Sequence, residues 1–274
     1  KNISDVSAAG TNNQVSITWT IAKAPLAITP KGASKTYGES DPTFGYDITS
    51  GQLYGSDDLS GSFTRDAGDN VGSYTIRKGT ITAGDNYDLT VNESTKLTIN
   101  KATLTISAQD ASKTYGTTDP ALTYTTSGLV NGDTESVLTG ALSREAGNNA
   151  GTYKIEQGSL SAGDNYDIAF TEGTFTINKA SLTVTPDSKT ITFGDALPTL
   201  TYTTSGLVNG DDEQTVLSGS LACDYDAGKT SVGTYAITQG TLQSNGNYDL
   251  SVASGASLTV TQAGIAEPSF SGHL

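Results

Sequence analysis

Along this chain apolar and polar residues alternate in short runs, and the same runs return at a fixed interval. Leu26-Ala27-Ile28-Thr29, Leu104-Thr105-Ile106-Ser107 and Leu182-Thr183-Val184-Thr185 each place every second side chain on one face, the period of a half-buried strand. Downstream of each come Phe44 with Tyr46, Leu122 with Tyr124 and Leu200 with Tyr202. Phe63, Leu142 and Leu221 follow, then Tyr74 with Ile76, Tyr153 with Ile155 and Tyr235 with Ile237. Last are Tyr87, Tyr166 and Tyr248, each inside an Asn-Tyr-Asp triplet. These positions are the predicted core. Turns such as Ala-Gly-Asp-Asn at 83–86 and 162–165 bound the runs. The spacing leaves about seven short strands per stretch and one helical turn at Gly132–Leu138, with Asp133 as its cap.

The interval is set by a motif that reads SKTYGESDP from Ser34, SKTYGTTDP from Ser112 and SKTITFGDALP from Ser188, with Tyr37, Tyr115 and Phe193 spaced 78 residues apart. A fixed period of this kind marks a tandem array. Residues 1–24 read as the closing hairpin of a preceding repeat, 25–101, 102–180 and 181–262 as three repeats, and 263–274 as a linker or tail. Half-buried strands in units this small predict an all-β array of small immunoglobulin-like β-sandwiches. A β-grasp-like sheet is the alternative, because a helical turn lies mid-repeat and the first and last strands could pair in parallel. At the motif's aromatic position Tyr, Tyr and Phe share one place, which predicts a buried ring whose hydroxyl is dispensable. The glycines that follow, at 38, 116 and 194, are expected to serve a positive φ or the close approach of another strand.

Composition narrows the partners. A net charge of −14 over 274 residues repels phosphate backbones and anionic lipid at long range, which excludes nucleic acid as a partner. No apolar run approaches the ~18 residues of a membrane span, so no membrane insertion of this segment is expected, and no signal peptide opens the chain at Lys1. The segment therefore reads as an internal piece of something longer. The single cysteine, Cys223, excludes an internal disulfide framework.

Chemistry-bearing groups are sparse. The one histidine, His273, lies in the tail, so neither a His/Cys metal cluster nor a Ser-His-Asp arrangement is expected. Acidic groups at Asp57 and Asp58, at Asp66 and Asp69, and at Asp211, Asp212 and Glu213 are not repeated as pairs, which argues against glycoside hydrolysis. No catalytic residue, cofactor or metal ligand is assigned. A structural calcium ion is the one ion the acidic turns could hold, at Asp85-Asn86 and Asp164-Asn165. Lys35, Lys113 and Lys189 are aligned as one repeat position, with Lys23, Lys101 and Lys179 as another. A lysine cross-link to Asn86, Asn165 or Asn247 would need a buried contact, and lysines guarding strand edges are the ordinary reading. Most of the 13 tyrosines alternate into the core. Trp19 reads as a strand residue, and Tyr54 and Tyr225, each in one repeat's loop, are the candidate rings for glycan contact.

The YG-x-x-DP signature, the SGLVNGD turn, the AGxxxGTY hairpin and the NYD strand together resemble the MBG repeat of YGX type, across about 26–262. Repeat one departs from it at Gly51–Ser56, and repeat three at Thr192-Phe193-Gly194. The resemblance implies an extracellular array in bacterial cell-surface or secreted adhesin-like proteins, with no site residues to carry over. Joints of two or three residues leave little freedom, so the expectation is a monomeric stalk of units stacked end to end over roughly 100 Å. Its first partners are adjacent repeats of the same chain. A carbohydrate-binding module, contacting a glycan or a host surface protein, is the alternative.

Overall fold

The computed structural model describes residues 20–264 and, ahead of them, the antiparallel pair β1 (Ala8–Ala9) and β2 (Ser16–Ile17). Trp19, His273 and most of the tail lie outside the described residues.

Repeat one contains β3 (Ala24–Pro30), β4 (Ala33–Thr36), β5 (Tyr46–Ser50), β6 (Thr64–Arg65), β7 (Gly72–Arg77), β8 (Tyr87–Val91) and β9 (Lys96–Asn100). They form two sheets, in the orders β5-β3-β8 and β4-β9-β7-β6. Each sheet has one parallel pair, β3 with β8 and β4 with β9, and its other pairs are antiparallel. Both parallel pairs come from one folded ribbon: β3 turns into β4 over two residues, β8 into β9 over four, and the ribbon crosses from sheet to sheet. The all-β, two-sheet expectation is met; parallel pairing also occurs once in each sheet, but it joins β3 to β8 and β4 to β9 rather than the first strand to the last.

Repeat two repeats the plan with β10 (Ala102–Ala108), β11 (Ala111–Thr114), β12 (Tyr124–Ser127), β13 (Ser143–Arg144), β14 (Gly151–Glu156), β15 (Tyr166–Thr171) and β16 (Gly173–Asn178), in the orders β12-β10-β15 and β11-β16-β14-β13. Repeat three contains β17 (Ala180–Pro186), β18 (Lys189–Thr192), β19 (Tyr202–Ser205), β20 (Leu217–Ser218), β21 (Ala222–Cys223), β22 (Gly233–Thr238), β23 (Gln243–Ser244), β24 (Tyr248–Val252) and β25 (Ser257–Thr261). Its sheets are β19-β17-β24 and β18-β25-β22-β21, with β20-β23 as a small extra pair.

The predicted helical turn is present, but Asp133 does not cap it. A 3-10 turn at Glu135–Val137 is capped by Thr134, and in repeat three α1 (Glu213–Val216) is capped by Asp212. Asp133 is used elsewhere, as shown below.

Alternation builds the core. Leu26 and Ile28 on β3 and Ile76, Leu97 and Ile99 on the four-stranded sheet are almost wholly buried. In repeat three Val184 packs with Leu221, Ile237 and Leu242. The chain divides into two compact units that cut across the repeats. One holds residues 1–107, 125–141 and 159–171, the other 108–124, 142–158 and 172–274. The joint between repeats one and two therefore lies inside the first unit, and the joint between repeats two and three inside the second.

Candidate interface site: the tyrosine corner between repeats

Each joint is a single residue, Lys101 between β9 and β10 or Lys179 between β16 and β17. Close by, the motif tyrosine leaves the end of the second strand of its repeat. Its amide is held to the closing strand, Tyr37 by the Asn100 carbonyl and Tyr115 by the Asn178 carbonyl, both at 2.8 Å. Gly38 and Gly116 then take φ of 85° and 84°, the left-handed region that glycine enters without strain.

The receiver is the turn Val130-Asn131-Gly132-Asp133. Asn131 and Gly132 both have positive φ, 58° and 78°, and the Asp133 amide donates to the Val130 carbonyl at 3.0 Å. That is a type I′ turn, for which Asn-Gly is the favoured pair. Its Asp133 Oδ2 accepts from two phenols, Tyr37 Oη at 3.0 Å and Tyr166 Oη at 2.8 Å. Tyr37 Oη accepts from Asn131 Nδ2 at 3.1 Å, and Tyr166 Oη from the Val130 amide at 3.0 Å. The two rings meet edge to face, with centroids 5.5 Å apart. A Cβ on Gly38 would lie 2.6 Å from the Val130 side chain, so the glycine supplies space as well as φ.

The second joint repeats the arrangement. Tyr115 and Tyr248 donate to Asp211 Oδ2 at 3.0 and 2.7 Å, Asn209 Nδ2 donates to Tyr115 Oη at 3.3 Å, and the rings lie 5.5 Å apart. A Cβ on Gly116 would lie 2.5 Å from Val208. A clamp accompanies each corner. Asn165 Oδ1 accepts from the Val71 amide at 2.9 Å while its Nδ2 donates to Asn70 Oδ1, and Asn247 does the same with Ala150 and Asn149. Burial pushes the Tyr166 and Tyr248 hydroxyls above the ordinary phenol range. The neighbouring carboxylates push the same way, while the amides of Val130 and Val208 pull against them.

Among the described residues, two halves of this site have no counterpart. In repeat one the Tyr54 amide donates to Tyr87 Oη at 2.7 Å, and Tyr87 Oη donates to Asp57 Oδ2 at 2.9 Å. Tyr54, Asp57, Asn86 and Tyr87 line a cleft of about 410 Å³. In repeat three Phe193 follows β18, held to the Thr261 carbonyl, yet it is 44% exposed, and a Cβ on Gly194 would meet nothing. The corner residues thus correct two expectations. Tyr37 and Tyr115 are buried as predicted, at 4% and 6%, but their hydroxyls are used, and Phe193 is not a core residue.

Beneath each filled corner lies a charged cluster. Asp41 accepts from Lys35 Nζ at 2.7 Å and Arg65 Nε at 2.6 Å, and Asp119 from Lys113 Nζ and Arg144 Nε, both at 2.6 Å. Arg144 also lies over the Tyr153 and Phe175 rings. The hydrogen bond from Arg144, and then that from Lys113, hold the Asp119 carboxyl down to about 2.

The structure separates the two rings proposed for glycan contact. Tyr54 is 52% exposed. Tyr225 corrects the expectation: it is 6% exposed, packs on Tyr235 and donates to the Asp195 carbonyl at 2.8 Å, so it has no open face. The acidic groups are engaged as well, Asp66 by Arg77, Asp69 by Arg65, Asp211 by two tyrosines and Asp212 by the α1 cap. Lys189 pairs across from Leu258, where Ala33 and Ala111 pair with Leu97 and Phe175, so it is not the counterpart of Lys35 and Lys113. Asn165 and Asn247, aligned candidates for calcium or a cross-link, spend their amides on the clamp. Among the described residues no three His, Cys, Asp or Glu gather as metal ligands, and no helix is long and apolar enough to cross a membrane. The reading from sequence missed Asn131 and Asp133. The signal was there: Tyr37 to Asp133 and Tyr115 to Asp211 are both 96 residues apart.

A family model described as MBG domain (YGX type) matches residues 26–98, 104–176 and 182–259. No curated protein sequence matches the chain.

Proposed function

Because the chain belongs to the MBG domain (YGX type) family, with three copies in tandem, we propose that it is a non-catalytic spacer in an extracellular bacterial surface protein, the stalk that projects an adhesin's binding region. The observation that supports this reading is the repetition of one joint, with a one-residue connection, a double-phenol carboxylate and an asparagine clamp at both positions. A spacer needs order handed from each repeat to the next and needs no pocket. Small-angle scattering tests it: a monomer with a maximum dimension on the order of 100 Å, as strand lengths suggest, agrees with the proposal, and a compact particle contradicts it.

The exposed ring of Tyr54 beside Asp57 and Asn86 favours one second reading, a carbohydrate-binding module. Glycan-array screening separates the two. Binding that Tyr54→Ala abolishes would replace the spacer reading.

A further inference from the structure

We propose that the cleft of repeat one is a receptor for the Tyr-Gly corner of another repeat of this family. Three observations carry it. The residues around the cleft are the counterparts of a filled receptor: Tyr54, Asp57, Asn86 and Tyr87 stand where Val130, Asp133, Asn165 and Tyr166 hold the corner of repeat one, and where Val208, Asp211, Asn247 and Tyr248 hold that of repeat two. The turn keeps the closing hydrogen bond and the first left-handed residue of the receiver, with the Asp57 amide donating to the Tyr54 carbonyl at 3.1 Å and Gly55 at φ 64° in the place of Asn131, although Ser56 does not share the positive φ of Gly132. The polar inventory is half used. Asp57 Oδ2 accepts one phenol where Asp133 Oδ2 and Asp211 Oδ2 accept two.

The chemistry specifies the occupant. A phenol O–H fills the free position on Asp57, a ring edge meets the Tyr87 ring, and a glycine with positive φ passes under Tyr54, where any Cβ would collide as it would at Gly38 and Gly116. A backbone N–H from the same partner's hairpin completes the clamp on Asn86. The inference rests on the family assignment and is independent of the spacer role.

The test duplicates repeat one inside the whole chain, residues 1–101 followed directly by 24–274, so that Lys101 precedes Ala24 as it precedes Ala102. Tyrosine nitration is read at Tyr54 by mass spectrometry. In the parent chain Tyr54 reacts as an exposed phenol; in the duplicated chain half of the Tyr54 population should react several-fold more slowly, and Tyr37→Ala in the first copy should abolish that protection. A second measurement uses the parent alone: Asp133→Asn should lower the melting temperature more than Asp57→Asn, because only Asp133 joins two repeats. Uniformly reactive Tyr54 in a duplicated chain that melts like the parent, or equal shifts for Asp57→Asn and Asp133→Asn, would overturn the proposal.

Discussion

Where Lys35 and Lys113 stand in the first two repeats, the strand register puts Ile191 in the third; where Arg65 and Arg144 stand it puts Cys223, and Leu197 replaces Asp41 and Asp119. Tyr225 takes over the work of the lost charges. Its ring lies 5.9 Å from Tyr235, as Arg65 lies over Tyr74 and Arg144 over Tyr153. Its hydroxyl donates to the Asp195 carbonyl, the counterpart of the Glu39 and Thr117 carbonyls that accept from Lys35 and Lys113. The hairpin that carries it has nine residues, 224–232, between Cys223 and Gly233, against six, 145–150, between Arg144 and Gly151. One backbone corner is thus supported either by an ion cluster whose cations are covered and whose carboxylate stays partly exposed, or by an aromatic with Ile191, Leu258 and Val260 around it. The ion cluster occurs under corners that hold a neighbouring repeat, and the apolar version under the corner whose phenylalanine is exposed. The contrast agrees with the general finding that buried ion pairs can be exchanged for apolar groups without loss of fold.

The largest effect should separate the filled corner from the open one. Tyr115→Ala removes a buried ring and should cost roughly 3–5 kcal/mol, whereas Phe193→Ala, at an exposed position, should stay within about 0.5 kcal/mol. Thermal unfolding compares them, and similar losses would erase the distinction. Because Tyr115 reaches Tyr248 and Asp211, its loss should loosen repeat three as well, rather than spare the neighbours.

Next in size is the ion cluster. Arg144→Ala leaves Asp119 paired with Lys113 alone and uncovers the Tyr153 and Phe175 rings, and should cost about 2–3 kcal/mol, below the figure for fully buried pairs because Asp119 keeps contact with solvent. Replacing all three at once, Lys113→Ile with Asp119→Leu and Arg144→Cys, should cost less than Arg144→Ala alone. If the triple change is the more damaging, the two corners are not exchangeable. Tyr225→Phe deletes one neutral hydrogen bond and should cost only about 0.5–1.5 kcal/mol, measured by the same denaturation.

The smallest effect is in pH. Asp119 is held down to about 2 in the folded chain, from an ordinary value near 3.8. The unfolded chain therefore binds the extra proton first, so this group's stabilisation is complete above about pH 4 and is lost as pH falls towards 2. Repeat three has Leu197 in that place, so Asp119→Leu should flatten the acid limb of the melting-temperature profile. The phenols act at the other end. With the Tyr166 and Tyr248 hydroxyls raised, their contribution is intact below about pH 10 and declines as pH climbs beyond it.

Strand positions and the core were legible in the sequence because burial imposes a period of two, which three copies display three times. The corner was half legible. Substitution of Tyr by Phe at 193 suggests a dispensable hydroxyl only if all three corners share one environment, and they do not: two face a turn of the next repeat, and the third, 44% exposed, meets no such turn among the described residues. Asp133 looked like a helix cap because sequence shows the local turn and not a phenol from 96 residues away. Tyr225 looked like an exposed loop residue because the charges whose place it takes are distant in sequence and visible only through strand register.

The central claim is that one carboxylate joins neighbouring repeats through two phenols. A double-mutant cycle of Tyr115→Phe and Asp211→Asn measures it most directly, since only interacting residues depart from additivity. The account predicts a coupling of about 1–2 kcal/mol, in the range of hydrogen bonds to charged groups. Additive losses, with no coupling beyond error, would contradict it.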